Sequence, residues 1–387
     1  MSAPGATGET GVMGNGGVAP VRLVLVGAGA MGHTWLRAMA ANPDVELVGI
    51  VDLDLATARQ AAEKFEVPGV ALGPDAVAVA RQTGADAIVN VTVPRAHHPV
   101  TTAALFAGFP VLGEKPLADT LAEALSLAAA AAVTGVRFVI SQSRRFNPHV
   151  AQFRAQADAL GELALLTTEF TKAPRFGGFR DEMAHPLLVD MAIHQFDLAR
   201  HVLRADPVSV YCEEFNPGWS WYAGAANACA TFEMSSGARY SFSGSWCAPG
   251  LETSWNGAWR LSGARGSAVW DGDHPPRCEI VEAGVEPAAV ADPGLEVPGS
   301  LAAFVTALRT GSPAMGEVHD NVLSLAMVEA ATTSAATGRR VTVAEVLDRA
   351  RTEALAAERR DDVRAVLDSW TDVTTALSRG REAAAVR

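Results

Sequence analysis

The feature that most constrains the fold of this chain is a glycine-rich turn near its start. Residues 21–26 are apolar except for Arg22, and they run into Gly27-Ala28-Gly29-Ala30-Met31-Gly32, a G-x-G-x-x-G that opens a helix with apolar residues at helical spacing. A continuous apolar run is typical of a strand buried on both faces of a parallel sheet. A second apolar strand, residues 45–51, ends at Asp52, twenty residues after Gly32. Strand, turn, helix and acid together predict a dinucleotide-binding βαβ unit.

Each glycine of the turn has a predicted role in holding a pyrophosphate. The first permits the tight turn, the second lets the phosphates approach the backbone, and the third lets helix and strand pack closely. Free N–H groups and the positive end of the helix dipole then hold the phosphates. The cofactor contacts predicted here are Gly27, Gly29, Ala30, Met31 and Gly32. A purely structural βαβ turn is the alternative interpretation.

Asp52 predicts which nicotinamide dinucleotide binds. In a dinucleotide fold a carboxylate at this distance from the turn accepts the ribose hydroxyls. The same carboxylate repels the 2′-phosphate of NADP, and no Arg follows it that could bind that phosphate. The sequence therefore favours NAD as the cofactor over NADP.

Composition excludes several classes of partner. The chain has 387 residues, a net charge of −12 and no cluster of Lys and Arg, which argues against a nucleic-acid partner. Residues 1–20 are small and glycine-rich, and we expect them to be a disordered leader. No apolar run approaches the length of about eighteen residues that a membrane span needs. Four cysteines without a C-x-x-C pair predict reduced, buried thiols in a cytoplasmic protein.

The order of predicted elements divides the chain into two folded parts. Between residues 21 and 142 strands and helices alternate, which predicts an α/β fold with a doubly wound parallel sheet, the Rossmann domain. From 143 to 343, successive hairpin-linked strands predict an α+β domain with a large, mostly antiparallel sheet for substrate binding and oligomerisation. Residues 344–387 are charged and helical in period, and we expect a C-terminal tail without a site.

Three stretches carry residues suited to chemistry. Glu114-Lys115-Pro116 follows the fifth Rossmann strand, where a partly desolvated lysine can exchange a proton near neutral pH. Asp190, His194 and Asp197 share one face of an otherwise apolar helix predicted from about residue 187 to 203, so they need buried partners. Residues 94–98 (Pro-Arg-Ala-His-His) follow the fourth strand, ahead of a helix predicted from residue 99, and one of these histidines could face the cofactor.

Two further readings concern metals and aromatic side chains. Ligands from His185, Asp190 and His194 match no zinc pattern, so we expect no metal. The stretch between residues 215 and 260 is rich in aromatic side chains, which suit either stacking on a sugar ring or packing in the core and at a subunit interface. They are Trp219, Trp221, Tyr222, Trp246, Trp255 and Trp259.

From residue 21 to 343 the chain resembles the glucose-fructose oxidoreductase and inositol dehydrogenase (Gfo/Idh/MocA) family. The resemblance rests on the glycine turn with Asp52, on residues 94–98, on the Glu-Lys-Pro motif, on Ser-Arg-Arg-Phe-Asn-Pro at 143–148 and on the D-x-x-x-H-x-x-D beginning at Asp190. It implies that Lys115, Asp190 and His194 form the catalytic group. His194, or Lys115 in some members, would take the proton of a substrate hydroxyl.

The resemblance also implies the remaining site residues. Further cofactor contacts would be Val93, Pro94, His98, Glu114 and Lys115. Substrate contacts would be Lys115, Arg145, Lys172, His185, Asp190, His194 and Trp255. The chain departs from the family at Val93, where Thr is usual, and at Arg95, where Asn is frequent. A glycine-rich run ahead of Asp190 is replaced by Met-Ala-His-Pro, which brings His185 toward the substrate.

These observations predict an NAD-dependent oxidoreductase that acts on a secondary hydroxyl of a sugar, sugar derivative or cyclitol and reversibly gives the ketone. An NADP-linked keto-sugar reductase and a non-catalytic, sugar-responsive regulator on the same fold are the alternatives. The resemblance further implies a homo-oligomer, a dimer or tetramer, that forms through the sheet of the second domain.

Overall fold

A six-stranded parallel sheet forms the first half of the protein. The structure is a computed structural model that describes residues 19–386, so most of the predicted leader lies outside the described residues. The strand order is β3-β2-β1-β4-β5-β6 with every pair parallel, which confirms the doubly wound sheet. The strands are β1 (Val21–Val26), β2 (Val45–Val51), β3 (Ala71–Gly73), β4 (Ala87–Asn90), β5 (Val111–Glu114) and β6 (Phe138–Ser141).

Helices cover both faces of this sheet. Asp54, Asp75 and Thr120 each accept a backbone N–H of the first turn of the helix that follows them, which satisfies otherwise unpaired donors. At Thr120 the bond runs from the backbone N–H of Glu123 to Thr120 Oγ1, at 3.2 Å. The helices are α1 (Ala30–Ala40), α2 (Leu55–Lys64), α3 (Ala76–Thr83), α4 (Pro94–Phe106) and α5 (Leu121–Thr134).

An eight-stranded sheet forms the second half, in the order β13-β12-β11-β7-β10-β9-β8-β14. Its pairs are antiparallel except that β7 and β10 run parallel, so the predicted mostly antiparallel sheet is confirmed. The strands are β7 (Leu163–Thr171), β8 (Pro207–Phe215), β9 (Asn227–Met234), β10 (Arg239–Ser245), β11 (Ala258–Gly263), β12 (Gly266–Trp270), β13 (Arg277–Ile280) and β14 (Val341–Thr342).

One face of the second sheet is covered by helices and the other is open. Buried side chains such as Phe170, Phe232 and Phe242 face α6 (Pro148–Ala159), α7 (Ile193–Leu203) and α9 (Val318–Thr337). The opposite face leaves large side chains such as Tyr211 and Phe215 exposed. The buried-thiol prediction holds only in part, because Cys212 and Cys247 are buried but Cys229 is exposed and Cys278 is partly exposed.

The two halves share a core. Helix α8 (Glu296–Thr310) returns to the first sheet, where Leu301 and Phe304 pack in one cluster with Trp35 of α1. The carboxyl ends of the parallel strands therefore lie at the junction with the second sheet, where a doubly wound fold binds its ligands. Among residues 19–386, no helix is both long and hydrophobic enough to cross a membrane.

The last helices belong to the packed protein. They are α10 (Val343–Ala357), α11 (Asp361–Ser369) and α12 (Val373–Val386). Leu347, Leu367 and Leu377 are fully buried on the inner sides of these helices. They pack against α5 and α9, so residues 344–386 are not the free tail that their charge predicts.

Candidate active site

The glycine turn has the geometry that a pyrophosphate needs. Gly27 has a φ of +101°, in the left-handed region that favours glycine. A Cβ on Gly32 would lie 2.2 Å from the carbonyl oxygen of Gly27, so only glycine permits this contact between helix and strand. A Cβ on Gly29 would meet nothing within 4 Å, which leaves space for phosphates at the start of α1. No side chain caps this helix and no acid stands in its first turn, so its N–H donors suit an anion.

Asp52 lies at the end of β2 against the turn. Its Oδ2 accepts the backbone N–H of Ala28 at 2.9 Å, and its Oδ1 accepts that of Asp54 at 3.0 Å. These two bonds hold the carboxylate beside the mouth of the glycine turn. A dinucleotide whose pyrophosphate lies at Gly29 would place its ribose near this acid, so the residues present fit the predicted cofactor.

The two histidines at the start of α4 have different surroundings. Val93 is 53% exposed as the N-cap of α4, and Pro94 is its first residue. His98 Nε2 lies 3.0 Å from Ser126 Oγ on α5. His97 is instead buried between the carbonyl oxygens of Thr92, at 3.0 Å, and Pro116, at 2.7 Å. None of these contacts tests the predicted cofactor contact of His98, which stays a prediction.

The Glu-Lys-Pro motif ends β5 with its acid buried under α1. Glu114 Oε1 accepts the indole N–H of Trp35 at 2.8 Å, and Oε2 accepts the backbone N–H of Lys115 at 3.0 Å. Burial raises the pKa of the Glu114 carboxyl. The Lys115–Pro116 peptide is cis. The carboxylate thus ties β5 to the helix that opens the glycine turn, and its predicted contact with the cofactor stays a prediction.

Lys115 and Asp190 meet across the junction of the two halves. Lys115 Nζ donates to the backbone carbonyl of Asp190 at 2.8 Å and lies 3.7 Å from its Oδ1. Arg180 Nε donates to Asp190 Oδ2 at 2.7 Å. Asp190 belongs to a π-helical turn, Pro186–Ala192, which leads directly into α7. The sequence predicts a regular helix here, whereas wider turns of this kind recur at functional sites.

His194 adjoins this pair and is neutral at physiological pH. Its pKa is lowered well below the usual value by burial and by the positive charges of Arg144 and Lys115. Its Nδ1 is buried and has no hydrogen-bond partner among the described residues. Burial also lowers the pKa of the Lys115 ammonium, against the opposing effect of Asp190. The structure therefore brings together a neutral imidazole, an ammonium and a carboxylate, as the sequence predicts.

Arg145 and Asp197 do not join this group. Arg145 Nε and Nη2 each donate to a carboxylate oxygen of Asp197 at 2.7 Å, and Nη2 also reaches Asp320 at 3.2 Å. Asp197 further accepts the hydroxyl of Ser324 at 2.7 Å. Arg145 is therefore a buried structural ion-pair partner that links α7 to α9, and its predicted role in substrate binding is corrected.

The neighbouring Arg144 takes the place predicted for Arg145. Its Nη1 contacts the backbone carbonyl of Trp255 and Asn256 Oδ1, the latter at 3.4 Å, and its Nη2 lies 3.8 Å from Met191 Sδ. Sequence reasoning missed this residue and also passed over Arg180 as a site residue. The only feature of the sequence that points to Arg144 is its position next to Arg145, since two adjacent side chains face different ways and only one of them can face the site.

Lys172 and Trp255 lie together at the substrate side. Lys172 Nζ donates to Glu252 Oε2 at 3.0 Å and stands 5.1 Å from the centre of the Trp255 ring. Trp255 remains 44% exposed, and its ring contacts those of Trp246 and Phe176. Trp255 also contacts Arg144 through its backbone carbonyl, and the predicted substrate contacts of Lys172 and Trp255 stay predictions.

A cleft of about 440 Å³ adjoins these aromatic side chains. Trp219 is 66% exposed, and the guanidinium carbon of Arg175 lies 3.9 Å from the centre of the Trp221 ring. By contrast Tyr222, Trp246 and Trp259 are buried, so the aromatic stretch divides between packing and exposed surface. The cleft is lined by Ala173, Arg175, Trp219, Trp221, Cys247 and Pro249.

His185 points toward the second sheet. Its Nδ1 lies 2.7 Å from Glu214 Oε2 on β8, and this carboxylate raises the pKa of the imidazole. None of the contacts of His185 links it to Lys115 or His194, so its predicted substrate contact stays a prediction. Within residues 19–386, no three His, Cys, Asp or Glu side chains converge as a metal site would need.

Comparison with known proteins agrees with this geometry. Residues 21–142 match the model of an oxidoreductase family with an NAD-binding Rossmann fold, and residues 150–269 match the Gfo/Idh/MocA C-terminal domain. An uncharacterized protein of Sinorhizobium fredii is 27% identical over 84% of this chain and 96% of its own length.

Two further comparisons bear on the family and on the fold. Inositol 2-dehydrogenase 4 of Saccharopolyspora erythraea is 33% identical, over 49% of this chain and 56% of its own length. An oxidoreductase of Agrobacterium radiobacter, solved with NAD+, L-tartaric acid and magnesium, superposes with a TM-score of 0.73 at 18% identity, covering 84% of this chain and 99% of that one. The family matches confirm the predicted NAD cofactor, and the chain belongs to the Gfo/Idh/MocA family of oxidoreductases.

Proposed function

We propose that the protein is an NAD-dependent dehydrogenase that oxidises a secondary hydroxyl of a sugar, sugar derivative or cyclitol to the ketone, reversibly. The observation that carries this proposal is the contact of Lys115 Nζ with Asp190, at 2.8 Å to its carbonyl and 3.7 Å to its carboxylate, beside a neutral His194. The similarity to an inositol 2-dehydrogenase supports the class of substrate.

The first domain would hold the cofactor through its own backbone and Asp52. N–H groups at the start of α1 would bind the pyrophosphate, and the Asp52 carboxylate would accept the ribose hydroxyls. Val93 and Pro94, exposed at the start of α4, would border the nicotinamide. When bound, NAD supplies the two-electron acceptor of the reaction.

The three residues of the catalytic group have different roles when the substrate hydroxyl loses its proton. His194, neutral because its pKa is lowered, accepts the proton of the substrate hydroxyl. The Lys115 ammonium donates a hydrogen bond to the same oxygen and stabilises its developing negative charge. Asp190, fixed by Arg180, holds Lys115 in place through two contacts. The side chains of Lys115 and Asp190 are each only 20% exposed, which strengthens the interaction between them.

A turnover screen tests the proposal. The purified protein would be titrated with NADH and NADPH by fluorescence, and sugars and inositols would then be added with NAD while absorbance of the reduced nicotinamide is followed. We expect tighter binding of NADH and turnover on at least one polyol. Tight binding without turnover on any polyol would contradict the dehydrogenase and favour the sugar-responsive regulator.

We also propose a cytoplasmic homo-oligomer. The open face of the second sheet exposes Leu165, Tyr211 and Phe215, which supports pairing of two copies through this face. Light scattering during size-exclusion chromatography tests the assembly. A monomer at micromolar concentration would contradict it.

A further inference from the structure

Arg144 lies in the active site without a carboxylate partner. Among residues 19–386 no acid comes within ion-pair distance of its guanidinium, and its contacts are a backbone carbonyl, the amide of Asn256 and the thioether of Met191. Its Nε donates to no described residue. Desolvation lowers the pKa of Arg144 to about 10, which only Glu296 opposes from a longer distance. A desolvated cation of this kind calls for an anion.

The basic neighbours of Arg144 do have acids. Lys172 pairs with Glu252 at 3.0 Å, and Arg180 pairs with Asp190 at 2.7 Å. Lys115 shares Asp190 and has Glu114 beside it. Arg145 is neutralised by Asp197 and Asp320. Of these five cations, Arg144 is the one without an acid from the described part of the chain within ion-pair distance, so its positive charge is a local surplus, although the whole chain carries a net charge of −12.

The surplus lies next to the reacting groups. Arg144 is close enough to lower the pKa of both Lys115 and His194. It also contacts the residue pair Trp255 and Asn256, which border the substrate side. An anionic group held by Arg144 would thus belong to the molecule whose hydroxyl reaches His194.

We propose that Arg144 binds a carboxylate of the substrate, so that the enzyme acts on an acidic sugar, such as a uronate, rather than on a neutral one. This inference rests on the proposed function and narrows its substrate class. A planar guanidinium with a free Nε edge matches a carboxylate in geometry, and one substrate carboxylate balances one surplus charge.

Paired probes test the inference. D-glucuronate and D-galacturonate would be compared with D-glucose, D-galactose and D-glucose 6-phosphate, both for binding to the enzyme–NADH complex by fluorescence and for turnover with NAD. We expect a uronate to bind and react with a kcat/KM at least about tenfold above its neutral counterpart. Arg144→Gln should remove this preference by a factor of about 10 to 100, and Arg144→Lys should recover part of it.

The outcomes separate this inference from the proposed function. Arg81→Gln on the exposed side of α3 is the matched control and should keep the wild-type preference. Uronate binding that depends on Arg144 without oxidation would retain the carboxylate site and contradict the dehydrogenase. Oxidation of neutral sugars as efficiently as uronates, binding of the phosphate alone, or no saturable uronate binding would overturn the carboxylate site. If Arg144→Gln fails to bind NADH, the inference is tested by two other measurements. They are the preference of the wild-type protein for uronates over neutral sugars and the same preference in Arg144→Lys.

Discussion

At the scale of single residues, the charge of His194 sets the pH range in which the enzyme works. Its pKa lies well below 6.5, so the imidazole stays a base until the pH falls through that lowered value. The pKa of Lys115 lies below 10.5, so its ammonium is lost as the pH rises through that value. We predict that kcat/KM stays constant from pH 7 to below 6.5, and that the alkaline limb lies below 10.5. An acid limb at or above pH 6.5 would contradict the assignment.

The Asp52 carboxylate should control cofactor choice. Asp52→Ala removes the acceptor of the ribose hydroxyls and the charge that repels a 2′-phosphate. We predict that NADH binding weakens by a factor of about ten or more, because a charge-assisted hydrogen bond is lost, and that discrimination against NADPH shrinks. Fluorescence titration with both cofactors measures this. Asp54→Ala is the control, since it removes only the cap of α2 and should leave selectivity unchanged.

The sequence predicts well which types of residue come together at a site. It predicts less well which residue of two identical neighbours faces that site. Helical spacing predicts only that Asp190 and His194 share a face; the grouping of Lys115 with them comes from the family resemblance, and the contact of Lys115 with Asp190 agrees with it. Arg144 and Arg145 are chemically identical, and the short 3-10 turn that carries them decides which one faces the site. The same holds for His97 and His98, of which only His97 faces Pro116.

At the scale of elements, the packing of α1 on β1 should depend on one glycine. Gly32→Ala places a Cβ 2.2 Å from the Gly27 carbonyl, which forces the backbone apart. We predict a loss of about 1–3 kcal/mol in the free energy of unfolding. Gly29→Ala is the matched variant, because its Cβ meets nothing in the protein but would enter the space for the pyrophosphate. It should keep the stability and weaken NADH binding, and equal effects of both variants would contradict these roles.

Element boundaries follow from local chemistry where a cap is present. Helix α6 begins at Pro148, because the Asn147 side chain caps it by accepting the backbone N–H of His149. Helix α4 begins at Pro94 instead of the predicted residue 99, and Pro99 lies inside it, where a proline removes one backbone hydrogen bond of the helix. The π-helical turn ahead of α7 has no sequence signature, because its widened backbone depends on contacts that Asp190 makes elsewhere.

At the scale of the whole molecule, the C-terminal helix should stabilise the second half by joining the end of the chain to the segment that precedes β8. Arg381 on α12 donates to both oxygens of Asp206, at 2.7 and 3.0 Å. We predict that Arg381→Gln lowers the free energy of unfolding by about 1–2 kcal/mol at pH 7, a modest figure because the pair is partly exposed. Arg379→Gln, on the exposed side of the same helix, is the control. Urea unfolding measures both, and an unchanged midpoint for Arg381→Gln would contradict the role.

This stabilisation should depend on pH in one direction. The pKa of Asp206 is lowered from 3.8, mainly by its bonds with Arg381 and Arg200, which outweigh desolvation. The contribution is therefore present above pH 3.8 and is lost as the pH falls through the lower folded value. The difference between Arg381→Gln and the wild-type protein should shrink in acid.

The global arrangement is predictable only in part. Alternating strands and helices predict the parallel sheet, and consecutive strands predict the antiparallel one, because connection length limits strand pairing. The parallel pairing of β7 with β10 and the return of α8 to the first sheet are long-range events without a local pattern. The packing of α10 to α12 is hard to predict from the sequence, because these helices are mostly polar and their buried residues form only a narrow stripe on each.

Turnover by Lys115→Ala tests the central claim most directly. This variant removes the ammonium that is proposed to stabilise the negative charge on the substrate oxygen, while Arg180 stays bonded to Asp190. We predict that kcat falls by a factor of about 100 to 10,000 while NADH binding stays within a few-fold of the wild-type value. Retained turnover, or a loss of NADH binding that accounts for the fall, would contradict the catalytic role of Lys115 and with it the proposed dehydrogenase mechanism.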